Sequence, residues 1–155
     1  MIPAMDALDR EILSLLQHDG RMSATDLAAE VGLSLSSCHR RLKALERSGA
    51  IERYRAVVAP EAVGLHFEAI VFVTLGRTDL ETIAGFEERV RAMPNVVEAQ
   101  RLFGDPDYLL RVLTRDLAAY QVFYDTELGT LPGVQRISST LVMKRVTSDG
   151  TVPLG

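Results

Sequence analysis

Residues 23–49 carry the strongest constraint in the chain, because apolar residues recur at helical spacing on both sides of a single glycine. Ser23 is placed to cap a first helix, and Asp26, three positions on, completes a capping-box-like pair. Leu27, Ala28 and Val31 follow at helical spacing, and Gly32 supplies the backbone freedom that a helix end needs. Leu33 is positioned to plug the angle between two helices, and Ser34 to cap the second. Within that second helix Leu35, Cys38, Leu42 and Leu45 share one stripe at about 100° per residue, and Ser36, Arg40, Lys43 and Arg47 fall opposite. The pattern predicts a helix-turn-helix whose second helix presents a basic outer face to the major groove of double-stranded DNA.

The expected DNA-contact set is Ser34, Ser36, Ser37, His39, Arg40, Arg41, Lys43 and Arg47. Short hydroxyl residues at the start of a helix let it sit deep in the groove, and arginines further along reach guanine edges or phosphates. Residues 34–55 hold six Lys/Arg against two Glu. Arg41 flanks the apolar stripe rather than opposing it. For it, phosphate contact and pairing with Glu46 or another acid stand open together. The whole chain has a net charge of −4, but its halves differ: residues 1–60 hold eight basic and eight acidic residues, residues 61–155 nine and thirteen. DNA would therefore meet a local patch, with the acidic half turned away.

Several function classes drop out on composition. A chain of 155 residues, 47% hydrophobic, suits one domain or two small ones. The single cysteine allows no intrachain disulfide and points to a reducing compartment. Cys38 lies on the apolar stripe and reads as a small buried hydrophobe. No apolar run approaches a membrane span, and no basic-then-apolar leader pattern opens the chain, so a cytoplasmic protein without a membrane partner is expected. His18, His39 and His66 show no metal spacing, and no phosphate loop or nucleophile motif occurs, so neither metal nor cofactor is expected.

Residues 6–18 read as an N-terminal helix capped by Asp6 and Asp9, with Leu8, Ile12, Leu15 and Leu16 inward. Gly49 ends the third helix, and residues 51–59 read as a strand, a wing with Arg53 and Arg55 beside Tyr54, leading to a hinge at 60–65. The second half changes period. A continuous apolar run at 69–75 predicts a buried strand, followed by a helix over 79–93 with Leu80, Ile83, Phe86 and Val90 on one face. Strands are predicted at 96–103 and 107–114, separated by Gly104-Asp105-Pro106. A helix follows over 117–131 with Leu117, Tyr120, Tyr124 and Leu128 aligned, then a strand at 134–146. The order β-α-β-β-α-β is the ferredoxin-like arrangement. A short repeat supports it: Met93-Pro94-Asn95-Val96 returns 38 residues later as Leu131-Pro132-Gly133-Val134. Such a sheet has helices for one face only, so a second copy of the chain is expected to cover the other.

Taken in order, a series of phrases resembles the Lrp/AsnC family of transcription factors. They are Met5-Asp6-x-x-Asp9 with Ile12-Leu13, Asp26-Leu27-Ala28, Val31-Gly32-Leu33-Ser34, Arg41-Leu42-x-x-Leu45-Glu46-x-x-Gly49-x-Ile51, Tyr54, Gly104-x-x-Asp107-Tyr108-Leu109-Leu110 and Leu131-Pro132-Gly133-Val134. The resemblance implies an α+β chain: an N-terminal winged helix-turn-helix over 1–52, a strand and hinge linker over 53–65, and a ferredoxin-like RAM domain over 66–155 for effector binding and oligomerisation. It further implies homodimers that assemble to octamers, and a small-molecule effector, usually an amino acid, bound near the Gly-x-x-Asp-Tyr turn. The expected effector set is Gly104, Asp105, Asp107 and Tyr108, with Ser139 or Thr140 assisting. The residues alone leave Asp107 and Tyr108 open between a capped strand start and ligand contact. Two rival readings stand beside this one. A catalytic relative acting on tetrapyrroles would need a His/Tyr/Arg cluster, and the second half offers only His66 among histidines. A non-DNA oligomerisation module would leave the Arg40/Lys43/Arg47 face without purpose.

Overall fold

The computed structural model describes residues 5–147 and 150–154. Two units divide the chain: one runs up to Val57 and includes the tail from Thr147, and the other is Val58–Val146.

In the first unit Asp6 caps α1 (Ala7–His18), its carboxylate accepting the Asp9 N–H at 2.9 Å while the Asp9 carboxylate accepts the Asp6 N–H at 3.4 Å. This reciprocal pair satisfies donors that a helix start leaves orphaned. Ser23 caps α2 (Ala24–Glu30), and its hydroxyl also donates to the Asp26 carboxylate at 2.6 Å. Gly32 turns the chain at φ 65°, Ser34 caps α3 (Leu35–Ser48), and Gly49 ends it in the left-handed region at φ 78°. Ile12, Leu13, Leu27, Ala28, Val31, Cys38 and Leu45 form the core, with Leu8, Leu15, Leu16 and Leu42 packed at its margin. Burial pushes the Cys38 thiol up in pKa, in keeping with a small core hydrophobe.

The end of the chain returns to this unit. Leu154 packs against the same core, and the Gln17 side-chain amide bonds both backbone groups of Val152, donating to its carbonyl at 3.2 Å and accepting from its N–H at 2.6 Å. The tail therefore departs from the expected 66–155 grouping, because an apolar residue and a paired backbone tie it to α1. The wing strand expected at 51–59 is not formed: among the described residues that segment has no ladder partner. Tyr54 is instead tied to α3, its hydroxyl donating to Glu46 Oε1 at 3.3 Å.

The second unit opens on a 3-10 turn, Pro60–Val63, and continues as β1 (Phe67–Leu75), α4 (Leu80–Arg91), β2 (Val96–Arg101), β3 (Tyr108–Thr114), α5 (Leu117–Thr126) and β4 (Val134–Leu141). The sheet order is β2-β3-β1-β4 with every pair antiparallel, the ferredoxin-like topology. Ala69, Val71, Val73 and Leu75 pack with Leu110 and Val112 against Ile83, Phe86, Val90, Tyr120 and Phe123. The residues between them, Ile70 and Phe72, are only half-buried on the face away from this core. The 69–75 run therefore alternates instead of being uniformly buried, since helices cover one side only.

Three leucines expected inside are outside: Leu35, Leu80 and Leu117 are 52%, 84% and 65% exposed. Each is the first residue after a cap, Ser34, Asp79 and Asp116 respectively. A side chain there leans back past the helix end rather than onto a packed turn. The last strand stops at Leu141 rather than 146, because the Val142 N–H already meets Glu68 O near the start of β1 and the partner backbone runs out. β2 likewise stops at Arg101, leaving Phe103 fully exposed. The repeated phrases close equivalent corners. Asn95 exchanges backbone and side-chain bonds with Leu113 at the end of β3, and Gly133 O accepts the Gly76 N–H beyond the end of β1. Gly133 has φ 71°, and a Cβ there would collide with Thr82.

Candidate nucleic-acid interface and effector site

The capped start of α3 fixes which side chains face outward. Ser36, His39, Arg40, Lys43 and Arg47 are all exposed, along one stripe of the helix. Arg40 has no hydrogen bond or ion pair among the described residues. Lys43 makes a surface pair with Glu46 at 3.0 Å, and Arg47 Nε donates to the Lys43 carbonyl at 3.2 Å. Ser34 and Ser37 are occupied differently: the Ser34 hydroxyl accepts the Ser37 N–H at 3.3 Å and donates to Ser37 Oγ at 3.0 Å. Those two hydroxyls build the cap that seats the helix.

Arg41 departs from its place in the expected contact set. Its Nη1 lies 2.7 Å from Asp6 Oδ2 and 2.8 Å from Asp9 Oδ1, so its guanidinium clamps α3 to the capping box of α1. The pairing acids are these two, not Glu46. The Asp9 amide and then the Arg41 guanidinium hold the Asp6 carboxyl below its ordinary range, and the two carboxylates raise Arg41 in turn.

In the second unit the chain reverses between β2 and β3. The Leu102 N–H donates to Asp107 O at 2.7 Å and the Asp107 N–H to Val73 O at 3.0 Å, leaving residues 103–106 as the tip. Gly104 takes φ 142°, a conformation that favours glycine. Asp105 accepts from Thr74 Oγ1 and from Arg136 Nη2, each at 3.2 Å. The Asp107 carboxylate accepts the Leu75 N–H at 2.7 Å. Tyr108 is 3% exposed, and its hydroxyl donates to Glu87 Oε1 at 3.0 Å. Burial first, and Glu87 second, push its phenol up to about 12. Ser139 accepts from the Tyr120 hydroxyl at 2.6 Å.

The expected effector set is therefore not one constellation. Ser139 lies opposite Val71 on the helix-covered face, whereas Thr140 lies opposite Ile70 on the other. Tyr108 belongs with Ser139, and Asp107 is turned back onto the backbone of β1. Asp105 and Thr140 remain on the uncovered side, where a concavity of about 440 Å³ is lined by Phe72, Thr74, Pro106, Arg136, Ile137 and Ser138. Arg136 and Thr74 escaped sequence reasoning. The available signal was strand alternation, which puts Arg136, Ser138 and Thr140 on one face. Among the described residues no acidic, histidine and cysteine group could hold a metal ion, and no helix is long and apolar enough to cross a membrane.

Comparison with known proteins places both units. Residues 5–52 match a family model described as winged helix-turn-helix DNA-binding, and residues 68–152 one described as the Lrp/AsnC ligand binding domain. The Bkd operon transcriptional regulator of Pseudomonas aeruginosa is 39% identical over 150 residues, covering 97% of this chain and 98% of that protein. The leucine-responsive regulatory protein of Haemophilus influenzae is 38% identical over 143 residues, covering 92% and 86%. A crystal structure of a transcriptional regulator from Neisseria meningitidis in complex with L-methionine superposes with a TM-score of 0.92 at 35% identity, covering 97% of each chain. An AsnC family regulator from Agrobacterium tumefaciens gives 0.90 at 37% identity, again over 97% of each. These relatives are regulators, and the catalytic reading falls away with them. With a DNA-binding module in front, a ligand-binding module behind and full-length relatives of that build, the chain belongs to the Lrp/AsnC family of transcriptional regulators.

Proposed function

We propose that this regulator binds its operator through the outer stripe of α3 and is controlled by an amino acid held in the second unit. Ser36, Arg40 and Lys43 enter the major groove, with His39 and Arg47 at its edge and the Ser34–Ser37 cap seating the helix. The observation that carries this reading is Arg40, an exposed guanidinium on that stripe with no partner among the described residues. A cation left unpaired on a rigid helix is free to take a guanine edge or a phosphate without breaking a protein contact.

The effector side rests on the concavity lined by Thr74, Pro106 and Arg136, with Asp105 bonded to Thr74 and Arg136, and with Thr140 on the same face of the sheet. Asp105 is suited to an ammonium group, Arg136 to a carboxylate, and the turn at Gly104 allows close backbone approach. Ile70, Phe72 and Leu109 on the same uncovered face favour a homodimer through facing sheets, with octamers as the higher assembly. The test is operator selection from random duplexes, followed by affinity measurements with and without each amino acid. The proposal requires a preferred sequence whose affinity changes with at least one amino acid. Salt-sensitive binding without sequence preference contradicts the first half, and indifference to every amino acid contradicts the second.

A further inference from the structure

On the helix-covered side of the second unit, a separate cavity of about 290 Å³ lies between α4 and β2, lined by Phe86, Glu87, Val90, Arg91, Ala99, Arg101 and Tyr108. Its floor is apolar: Phe86 and Val90 are buried in the core. Its rim is charged in a particular pattern. Arg101 sits directly across from Tyr108 in the β2–β3 ladder, exposed, close enough to act electrostatically on the Tyr108 phenol but with no hydrogen bond or ion pair among the described residues. Glu87 is largely covered, at 29% side-chain exposure, and is held in place from two sides. Tyr108 donates to one oxygen at 3.0 Å and Arg91 to the other at 2.9 Å. A carboxylate has about four acceptor positions, so these two contacts leave acceptor capacity on a side chain that lines the cavity. A phenol is protonated at neutral pH, and burial and Glu87 push this one further up, to about 12, so the donor that orients Glu87 is retained well into the alkaline range.

We infer that this cavity is a second ligand pocket, for a free α-amino acid whose carboxylate meets Arg101, whose ammonium meets Glu87 and whose side chain lies on Phe86 and Val90. The inference rests on the reading of the second unit as amino-acid responsive, but it places ligand on the opposite side of the sheet from the Asp105 concavity. The walls hold two guanidiniums and one carboxylate, which suits a zwitterion with an apolar body. A polyanion such as a nucleoside phosphate would meet the fixed charge of Glu87 at close range. An edge-strand arginine kept only for solubility would need neither an oriented carboxylate beside it nor a cavity beneath it.

The experiment is calorimetric titration of the full chain with each of the twenty standard amino acids. A ligand found in this way is then compared with the 2-oxo acid that shares its side chain and lacks the ammonium. Three variants are measured: Arg101→Gln, Glu87→Gln and, at the other site, Asp105→Ala, each checked for an intact melting transition. Arg101→Gln should weaken binding at least about tenfold, the loss expected when one charge-assisted contact is removed. Glu87→Gln should weaken the amino acid and leave the 2-oxo acid unaffected. Wild-type affinity in Arg101→Gln overturns the second pocket. If Asp105→Ala then loses binding, the amino-acid reading stands with its ligand at the turn alone. Equal weakening of both ligands by Glu87→Gln overturns the ammonium assignment, and no heat with any amino acid overturns both readings together.

Discussion

On α3 the Arg40 guanidinium has no partner among the described residues, whereas around the 104–108 turn Asp105, Asp107 and Tyr108 are each already bonded. The difference follows from what the two regions rest on. α3 is seated by Ser34 at its start, by Gly49 at its end and by Arg41 across to α1, so the exposed residues of its outer stripe make only local contacts within the helix, and Arg40 makes none among the described residues. The turn is held to β1 by the Asp107 N–H on Val73 O, and beyond that it depends on its own side chains. Its own side chains close it, Asp107 onto the Leu75 N–H and Asp105 onto Thr74 and Arg136. Polar substitutions on the outer stripe of α3 should therefore change binding with little change in stability, and those at the turn should change stability first.

The largest expected effect is at the turn. Asp107→Ala removes the acceptor of the Leu75 N–H and should destabilise the second unit by about 1–3 kcal/mol. Thermal unfolding measures it, and an unchanged melting temperature would move Asp107 to the ligand side of the comparison. Next comes a pair within α3 itself. Ser34→Ala removes the cap and should cost about 1 kcal/mol of stability in the first unit. Ser36→Ala, which loses only an exposed 3.3 Å hydroxyl contact with Ser34 and leaves the Ser37 N–H capped, should stay within about 0.5 kcal/mol and weaken operator binding instead. If the two substitutions cost the same stability, the division between seat and contact face is lost.

The smallest effect is in acid. The Asp6 carboxyl is held below its ordinary aspartate value of 3.8, first by the Asp9 amide and then by Arg41. A depressed folded pKa means that its stabilisation is complete above the unfolded value and is lost as pH falls through the folded one. The first unit should therefore lose stability as pH drops from about 4 downward. Asp6→Asn should flatten that limb of a denaturant titration, and an identical pH profile in the variant would remove the clamp from the account.

Caps and turns were legible because they depend on single residues acting locally: Ser23, Ser34, Gly32 and Gly49 perform where their spacing put them. Helix faces were legible except at Leu35, Leu80 and Leu117, where the stripe was extended one position beyond the packed turn. The βαββαβ order was legible from the changes of period, and the 51–59 wing was not, since a strand needs a partner backbone that no local pattern reveals. The grouping of the turn residues with Ser139 and Thr140 comes from the family resemblance, and the residues alone do not say which face of the sheet each takes. Strand alternation separates Ser139 from Thr140, and only tertiary register reveals that Arg136 and Thr74 belong beside Asp105. The partners of Arg41 are hidden from the sequence in the same way, since Asp6 and Asp9 belong to the start of α1 and only the packing of the helices brings them to it.

Arg40 and Arg41 offer the most direct test, because they are adjacent, chemically identical and placed in opposite circumstances. Operator affinity and melting temperature are measured for Arg40→Ala and Arg41→Ala on the same duplex. Arg40→Ala should lose about 1–3 kcal/mol of binding and some sequence preference at an unchanged melting temperature. Arg41→Ala should lower the melting temperature, most of all at neutral pH, and bind the operator as wild type once folded. Full operator affinity in folded Arg40→Ala, with the loss appearing in Arg41→Ala, would contradict the assignment of the α3 outer stripe as the DNA-reading face.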